Sequence, residues 1–199
     1  LYRQNLTHIR LFSEISGIPH GSGNVGRIAD YLEKFAKENQ IRYVRDMADN
    51  VIFYKDASEG YEHLPTVILQ GHMDMVCEKK AGVTIDFAND GLTLKTDGEW
   101  LFADGTTLGG DDGIAVAYCL AMLADDSLKH PALEMVITTD EETGMDGAKA
   151  LDASLLSGKY LINIDSEEEN TVLCGCAGGM RVAGELTVER VIAEGHRVI

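Results

Sequence analysis

Three short apolar segments, each running into acidic or histidine side chains, constrain this chain more than any other feature. They are residues 66–70, 133–138 and 160–164. Continuous apolar runs of this length are typical of strands that are buried on both faces of a sheet. Helical patterns lie between them, so we predict the α/β fold class: a three-layer α/β/α domain with a mostly parallel central sheet.

The rest of the chain fills in this layered arrangement. Apolar side chains at helical spacing predict helices around residues 6–15, 28–35, 113–124 and 147–156. Ser22 or Asn24 is expected to cap the second helix. Further strands are expected at 42–44, 50–54 and 180–188, with a tight turn at 174–179. Asp97-Gly98 predicts a hairpin between residues 92–96 and 100–102.

The charge balance excludes several classes of partner. The chain has 33 acidic and 17 basic side chains, a formal net charge of −16. This excess disfavours binding to nucleic acid or to an anionic membrane. The longest apolar run, residues 114–124, is shorter than the ~20 residues of a membrane helix. No signal peptide is expected, and the 4 cysteines are too few for a disulfide scaffold, which favours a cytoplasmic protein.

Side chains of the kind that bind metal ions follow each apolar segment. The first runs into Gly71-His72-Met73-Asp74, the second into Asp140-Glu141-Glu142, and the third into Asp165. A fourth cluster, residues 109–113 (GGDDG), stands where a glycine-rich loop leads into a helix. Because sites in open α/β sheets form outside the carboxyl ends of the strands, we predict that these four segments converge.

Imidazole and carboxylate groups are ligands that zinc accepts. His72 and Asp74 are two residues apart and face the same side of an extended chain, so Asp74 can orient the imidazole. Asp111 can bridge two ions through its two oxygens. Of Glu141 and Glu142, one can bind metal while the other takes a proton from metal-bound water. A single acidic pair is more often solvated surface charge, and only the joint placement at strand ends favours a metal site.

Other motifs in the sequence give weaker evidence of a functional site. Residues 21–26 (GSGNVG) match G-x-G-x-x-G, but the dinucleotide fingerprint requires a preceding strand and a helix stands there instead. Cys174 and Cys176 lack a second ligand pair, so a buried turn is expected. Cys77 and Cys119 are expected in the core. The remaining candidate histidines are expected to be structural or exposed: His8, His20, His63 and His130.

The order G-H-M-D, G-G-D-D-G, D-E-E-T-G and N-I-D-S resembles the di-zinc aminopeptidase/carboxypeptidase superfamily, which includes peptidase T, carboxypeptidase G and carnosinase. Longer stretches narrow the resemblance to the bacterial aminoacyl-histidine dipeptidases, also called peptidase D. They are QGHMDMV at 70–76, DGEW at 97–100, TTLGGDDG at 106–113, ETGMDG at 142–147 and DSEEENTVLCGCAGG at 165–179. The resemblance covers essentially the whole chain.

This resemblance implies hydrolysis of Xaa-His dipeptides, such as carnosine, by metal-activated water. Two divalent ions are implied, with zinc as the expected metal and manganese or cobalt as alternatives. His72, Asp111 and Asp165 would bind the first ion, and Asp111 and Glu142 the second. Glu141 would be the general base, and Asp74 would orient His72. A cis peptide between Asp111 and Asp112 is also implied.

The departures from the family pattern are equally informative. The family takes one more ligand histidine from near the end of a longer chain, and the surroundings of His196 (AEGHRV) do not match that motif. We therefore expect residues 1–199 to be the N-terminal portion of a catalytic domain, without its lid domain and C-terminal segment. The parent is expected to be a homodimer and the isolated portion inactive. Two alternatives stay open: another amidohydrolase of the superfamily, such as an aminoacylase, and a non-catalytic acidic metal-binding module.

Overall fold

The computed structural model describes residues 7–166, 170–175, 178–180 and 182–188. The chain divides into two units, Leu1–Glu167 and Glu168–Ile199. Every helix and strand of the described residues lies in the first unit, and the described residues of the second unit form neither. Among the described helices, none has both the length and the apolar character that crossing a membrane requires.

Three of the described helices pack on one face of the sheet. The first buries Leu11, Phe12 and Ile15, and the second buries Ile28 and Leu32, each set at helical spacing. The third is apolar almost all round and lies between other elements, as its sequence predicts. The helices are α1 (Thr7–Ser16), α2 (Gly26–Glu38), α3 (Gly110–Ala124) and a short α4 (Asp146–Ala150).

The strands of the described residues form one five-stranded sheet and a separate hairpin. The sheet contains β1 (Arg42–Arg45), β2 (Val51–Lys55), β3 (Val67–His72), β6 (Leu133–Thr138) and β7 (Tyr160–Asn163), and the hairpin contains β4 (Leu94–Thr96) and β5 (Leu101–Ala103). The strand order in the sheet is β1-β2-β6-β3-β7. The sheet is mixed: β3 runs parallel to β6 and β7, whereas β1–β2 and β2–β6 are antiparallel. The three strands that carry the predicted ligands are thus mutually parallel.

The strand registers bring the ligand-bearing ends to one level. Gln70 of β3 lies opposite Val136 of β6 and Asn163 of β7. Continuing the β3–β7 register by two residues brings Asp165 level with His72. The carboxyl ends of these parallel strands therefore deliver their side chains to one place, as the sequence predicts.

Alternation along the strands divides the core between the two faces. Met135 of β6 and Leu69 of β3 pack with the helices α1–α3, while Val136 and Ile68 face the other way. On that second face, Leu151, Leu155 and Leu156 cover the sheet. Helices, sheet and the chain that follows α4 make three layers, which confirms the predicted α/β class.

Several local predictions are wrong. Residues 147–156 do not form one helix: α4 ends, Leu151 is extended, and the Asp152 side chain accepts a hydrogen bond from the N–H of Ser154 to begin a 3₁₀ turn, Ala153–Leu155. Strand β7 is exposed rather than buried: it is an edge strand of the sheet, and Tyr160, Leu161 and Ile162 are each more than half exposed. Residues 180 and 182–188 form no strand, and Arg181 lies outside the described residues.

The tight turn predicted at 174–179 lies partly outside the described residues, which omit Cys176 and Ala177. Cys174 is exposed rather than part of a buried turn. The helix cap prediction is also wrong. Val25 stands at the N-cap of α2 and makes no side-chain cap. Asn24 instead donates to the carbonyl of Ala88, and Ser22 is bonded elsewhere.

Candidate metal centre

His72, the last residue of β3, lies at the centre of the site. Its imidazole is buried, and Nδ1 lies 3.0 Å from the backbone carbonyl oxygen of Asp74 and 3.4 Å from its Oδ1. Nε2 lies 3.0 Å from Oδ1 of Asp111. With Nδ1 engaged by Asp74, Nε2 is the atom left to face a metal ion, an arrangement typical of ligand histidines.

Two consecutive aspartates enter the site from the start of α3. The peptide bond between Asp111 and Asp112 is cis, as the resemblance implies. Their side chains have separate partners: Asp111, about half exposed, faces Nε2 of His72, while buried Asp112 accepts the backbone N–H of His72 at 3.1 Å. One aspartate is therefore available as a ligand, and the other ties α3 to the end of β3.

The chain turns sharply after β6 and so presents two glutamates to the same place. Asp140 has a left-handed backbone, with φ of 50°. The N–H groups of Glu141 and Glu142 donate to Asp74, at 3.0 Å to Oδ1 and 3.4 Å to Oδ2. Asp74 therefore joins the turn that carries both glutamates to the strand that carries His72.

The predicted residues come together as two overlapping ligand groups. One is His72, Asp111 and Glu142, and the other is His72, Glu141 and Asp165; within each group the ligand atoms lie within 4.8 Å of one another. Nε2 of His72 is 4.0 Å from Oδ2 of Asp165. The structure thus gathers all the predicted ligands around one histidine, with Asp74 behind it. It also brings Glu141, expected as a base, within ligand distance of Asp165.

Burial and crowding shift the pKa values of this cluster. Burial raises the pKa of Asp112 to about 8, and burial together with repulsion from Asp111 raises the pKa of Asp165 and of Glu142. Burial lowers the pKa of His72, but the neighbouring carboxylates, Asp74 first, outweigh it and raise the value to about 10. The acidic groups repel one another, and positive charge is favoured among them.

Divalent ions fit this donor set. Burial raises the pKa of Asp74, but hydrogen bonds from His72, from the N–H of Glu141 and from Ser22 lower it on balance, which keeps this carboxylate charged. Within the described residues, the ion pairs of Asp74, Asp111 and Asp165 are all made with His72. One imidazole facing several carboxylates is the chemistry of a zinc- or manganese-type site, and the excess negative charge matches divalent cations.

Two residues that support the site were not found from the sequence. The hydroxyl of Ser22 donates to Oδ2 of Asp74 at 2.8 Å. Buried Asn50 accepts the N–H of Thr139 at 3.0 Å and donates to the carbonyl of Gly147 at 2.9 Å, which fixes the chain on both sides of the glutamate turn. Both partners lie far away in sequence, so no local pattern marks either residue.

The other candidates stay outside the cluster. Cys119 is buried as predicted, whereas Cys77 is only half-buried. No histidine besides His72 belongs to a ligand group of the described residues. His20 and His130 are buried, and His63 is exposed. Residues 167–169, Cys176 and His196 lie outside the described residues.

Comparison with known proteins agrees with this geometry. Residues 68–188 match the family model described as peptidase family M20/M25/M40. The cytosol non-specific dipeptidase of Escherichia coli (strain K12) is 42% identical over 180 residues, covering 90% of this chain and 37% of that protein. Residues 68–188, which the family model matches, include every member of the two ligand groups.

Solved structures of peptidases have a similar fold. The aminoacylhistidine dipeptidase of Vibrio alginolyticus superposes with a TM-score of 0.80 and 42% identity, over 83% of this chain and 34% of that chain. A tripeptidase of Staphylococcus aureus superposes with a TM-score of 0.68 at 23% identity, over 81% and 43%, and shows a shared fold. The chain therefore spans little more than a third of the length of the dipeptidases it matches.

Proposed function

The chain belongs to peptidase family M20/M25/M40, and from this premise we propose that residues 1–199 are the N-terminal portion of the catalytic domain of a metal-dependent dipeptidase. One observation carries the proposal. Side chains from the ends of three parallel strands and from the start of α3 meet around Nε2 of His72. An imidazole within ligand distance of several carboxylates, in a chain 42% identical to dipeptidases, supports a hydrolytic metal centre.

We assign the ligands from the contacts of His72. His72, Asp111 and Asp165 would hold one ion, and Asp111 with Glu142 would hold the other. Asp111 suits the shared position because its side chain is half exposed and faces both His72 and Glu142. Bound divalent ions would supply Lewis acidity, which acidifies water and polarises the carbonyl group of a substrate. Zinc is the metal we propose, since the donors are imidazole and carboxylate.

The chain's own residues would then move the proton. Glu141 is the proposed general base, which takes a proton from the attacking water and passes it to the leaving amine. Its N–H donates to Asp74, so the residue that orients His72 also fixes the peptide group of the base. One buried carboxylate would therefore position both the ligand and the base, and fixed relative positions of this kind favour catalysis.

For the substrate we propose Xaa-His dipeptides. The support is the name of one relative, an aminoacylhistidine dipeptidase, whereas the other 42% identical relative is called a non-specific dipeptidase. We also propose a homodimeric parent protein and, from the name of the Escherichia coli relative, a cytosolic location.

The test uses the complete gene product that contains this chain, stripped of metal and reloaded with zinc. It is assayed on Xaa-His dipeptides, on the same dipeptides with other C-terminal residues, and on N-acyl amino acids. We expect zinc-dependent cleavage of the Xaa-His peptides. Cleavage of N-acyl amino acids alone would identify a different amidohydrolase, and stoichiometric zinc without hydrolysis would identify a binding module.

A further inference from the structure

The loop between α1 and α2 contains a glycine-rich segment, residues 20–24, which has no role in the proposed chemistry so far. Backbone hydrogen bonds join this segment to the chain that follows His72. Gly21 forms a parallel bridge with Met75, the N–H of Met75 donates to the carbonyl of His20, and the N–H of Ser22 donates to the carbonyl of Met75. The loop therefore lies directly beside Asp74 and has a fixed backbone position.

Glycine at position 21 leaves room for the segment that follows Asp74. A Cβ added to Gly21 would overlap Sγ of half-buried Cys77, so a larger residue there would require the Cys77 side chain to move. Gly21 therefore lets the loop pack closely against the chain from Met75 to Cys77.

The loop makes two hydrogen bonds to acidic residues of the site. The hydroxyl of Ser22 donates to Oδ2 of Asp74 at 2.8 Å, and the N–H of Gly23 donates to Oδ1 of Asp140 at 2.6 Å. Asp140 begins the turn that carries Glu141, and Asp74 accepts the N–H of Glu141. One loop therefore holds both anchors of the proposed base.

The contacts of Asp74 explain why the serine hydroxyl matters. Oδ1 of Asp74 lies 3.4 Å from Nδ1 of His72 and accepts the N–H of Glu141 at 3.0 Å. Oδ2 accepts the N–H of Glu142 at 3.4 Å and the hydroxyl of Ser22 at 2.8 Å. Without Ser22, Oδ2 keeps only a long contact, and a buried carboxylate with an unmet acceptor reorients to find another donor.

We propose that Ser22 is a positioning residue of the metal centre: its hydroxyl fixes the Asp74 carboxylate, and through Asp74 it sets both His72 and the Glu141–Glu142 turn. The part that concerns metal binding rests on the proposed function. The part that concerns the Glu141–Glu142 turn is a property of the metal-free chain, so the two can be tested separately.

The experiment compares Ser22→Ala and Ser22→Thr with wild type and with the control Ser157→Ala. Ser157 makes the same kind of bond, from its hydroxyl to Oε1 of buried Glu134 at 2.6 Å, outside the ligand groups. Zinc affinity is measured by competition with a chromophoric chelator. Amide hydrogen exchange at Glu141 and Glu142 is measured in the metal-free chain.

We expect Ser22→Ala to weaken zinc binding about tenfold, the lower end of what outer hydrogen-bond partners of metal ligands contribute. It should also speed amide exchange at Glu141 and Glu142 by a similar factor. Ser22→Thr keeps the hydroxyl and should restore both values to near wild type. Ser157→Ala should leave both unchanged, even where it lowers the melting temperature.

Wild-type values for zinc affinity and exchange in Ser22→Ala would overturn the proposal, as would equal changes in Ser157→Ala. If Ser22→Ala does not fold, Ser22→Cys supplies the comparison, because a thiol is a weaker hydrogen-bond donor of similar size. If wild type binds no zinc, the proposed function fails, and the exchange rates then decide whether Ser22 holds the glutamate turn.

Discussion

The backbone N–H of His72 donates a hydrogen bond to the buried carboxyl group of Asp112, with 3.1 Å between N and Oδ2. This bond joins the end of β3 to the start of α3, the two elements that bring His72 and Asp111 together. Because burial raises the pKa of Asp112 to about 8, the metal-free chain holds this carboxyl largely protonated at neutral pH. The contribution of this junction to the stability of the metal-free chain therefore depends on pH.

Asp112→Asn should stabilise the metal-free chain increasingly as pH rises from 4 to 8. The pKa of Asp112 is about 8 in the folded chain and ~3.9 for an unperturbed aspartate. Between these values the folded chain holds a proton that the unfolded chain has released, so raising pH favours unfolding of wild type. Asparagine can accept the same bond and does not titrate.

Urea denaturation of both proteins in chelator, at several pH values from 4 to 8, checks this prediction. The gain in the free energy of unfolding should be small at pH 4 and largest at pH 8. A gain that is independent of pH, or that shrinks as pH rises, would show that Asp112 is not the titrating group.

Gly71→Ala should destabilise the chain by about 1–3 kcal/mol, the usual cost of overpacking. Its Cβ would lie 2.6 Å from Oδ2 of Asp112 and 2.8 Å from Cβ of Ala115, so α3 would have to move away from β3. Gly26→Ala is the matched control, since a Cβ there meets nothing within 4 Å. Thermal melts of the two variants should differ clearly, and similar melting temperatures would contradict the close packing.

Asp111→Asn should remove bound zinc without unfolding the chain. The Asp111 side chain is 48% exposed, so folding does not depend on its burial, yet it would be a ligand of both ions. Metal content after dialysis is measured against Asp126→Asn, a fully exposed acid paired with Lys55. We expect loss of zinc in the first variant only. Retention of a full complement of zinc would remove Asp111 from the bridging position.

Glu141→Gln and Glu142→Gln should separate the base from the ligand. In the complete gene product, Glu141→Gln should keep its zinc and lose turnover by ~10²–10⁴-fold, the usual contribution of a general base. Glu142→Gln should lose one of the two zinc ions, the one proposed to bind Asp111 and Glu142. Because Glu141 lies within ligand distance of His72 and Asp165, zinc loss in Glu141→Gln would instead make it a ligand. Turnover and metal content are therefore measured on the same samples.

Much of the site could be predicted because its ligands follow elements with strong local patterns. The segments 66–70 and 133–138 are continuous apolar runs, and both form strands whose carboxyl ends carry His72 and the glutamate turn. Parallel strands expose their ends at one edge, so convergence follows from the fold class alone. Helices α1 and α2 were equally visible through their apolar spacing.

Two of the features that the sequence did not reveal depend on distant parts of the chain, and a third depends on a local bond. Ser22 has the local pattern of a helix cap, but its hydroxyl bonds Asp74, 52 residues away. Residues 160–164 have the composition of a buried strand, while β7 lies at the sheet edge with exposed side chains, since burial depends on what packs against the faces of the strand. Asp152 ends the predicted helix by capping a 3₁₀ turn, because aspartate competes for backbone N–H groups.

The register of β3, β6 and β7 limits how this sequence can change in length. Because side chains alternate between the faces of a strand, inserting or deleting one residue within β7 would turn Asp165 to the opposite face from His72. A residue gained or lost in the connection between α4 and β7 leaves that alignment intact. Related chains should therefore differ in length between these elements while keeping constant the number of residues from the start of each strand to its ligand.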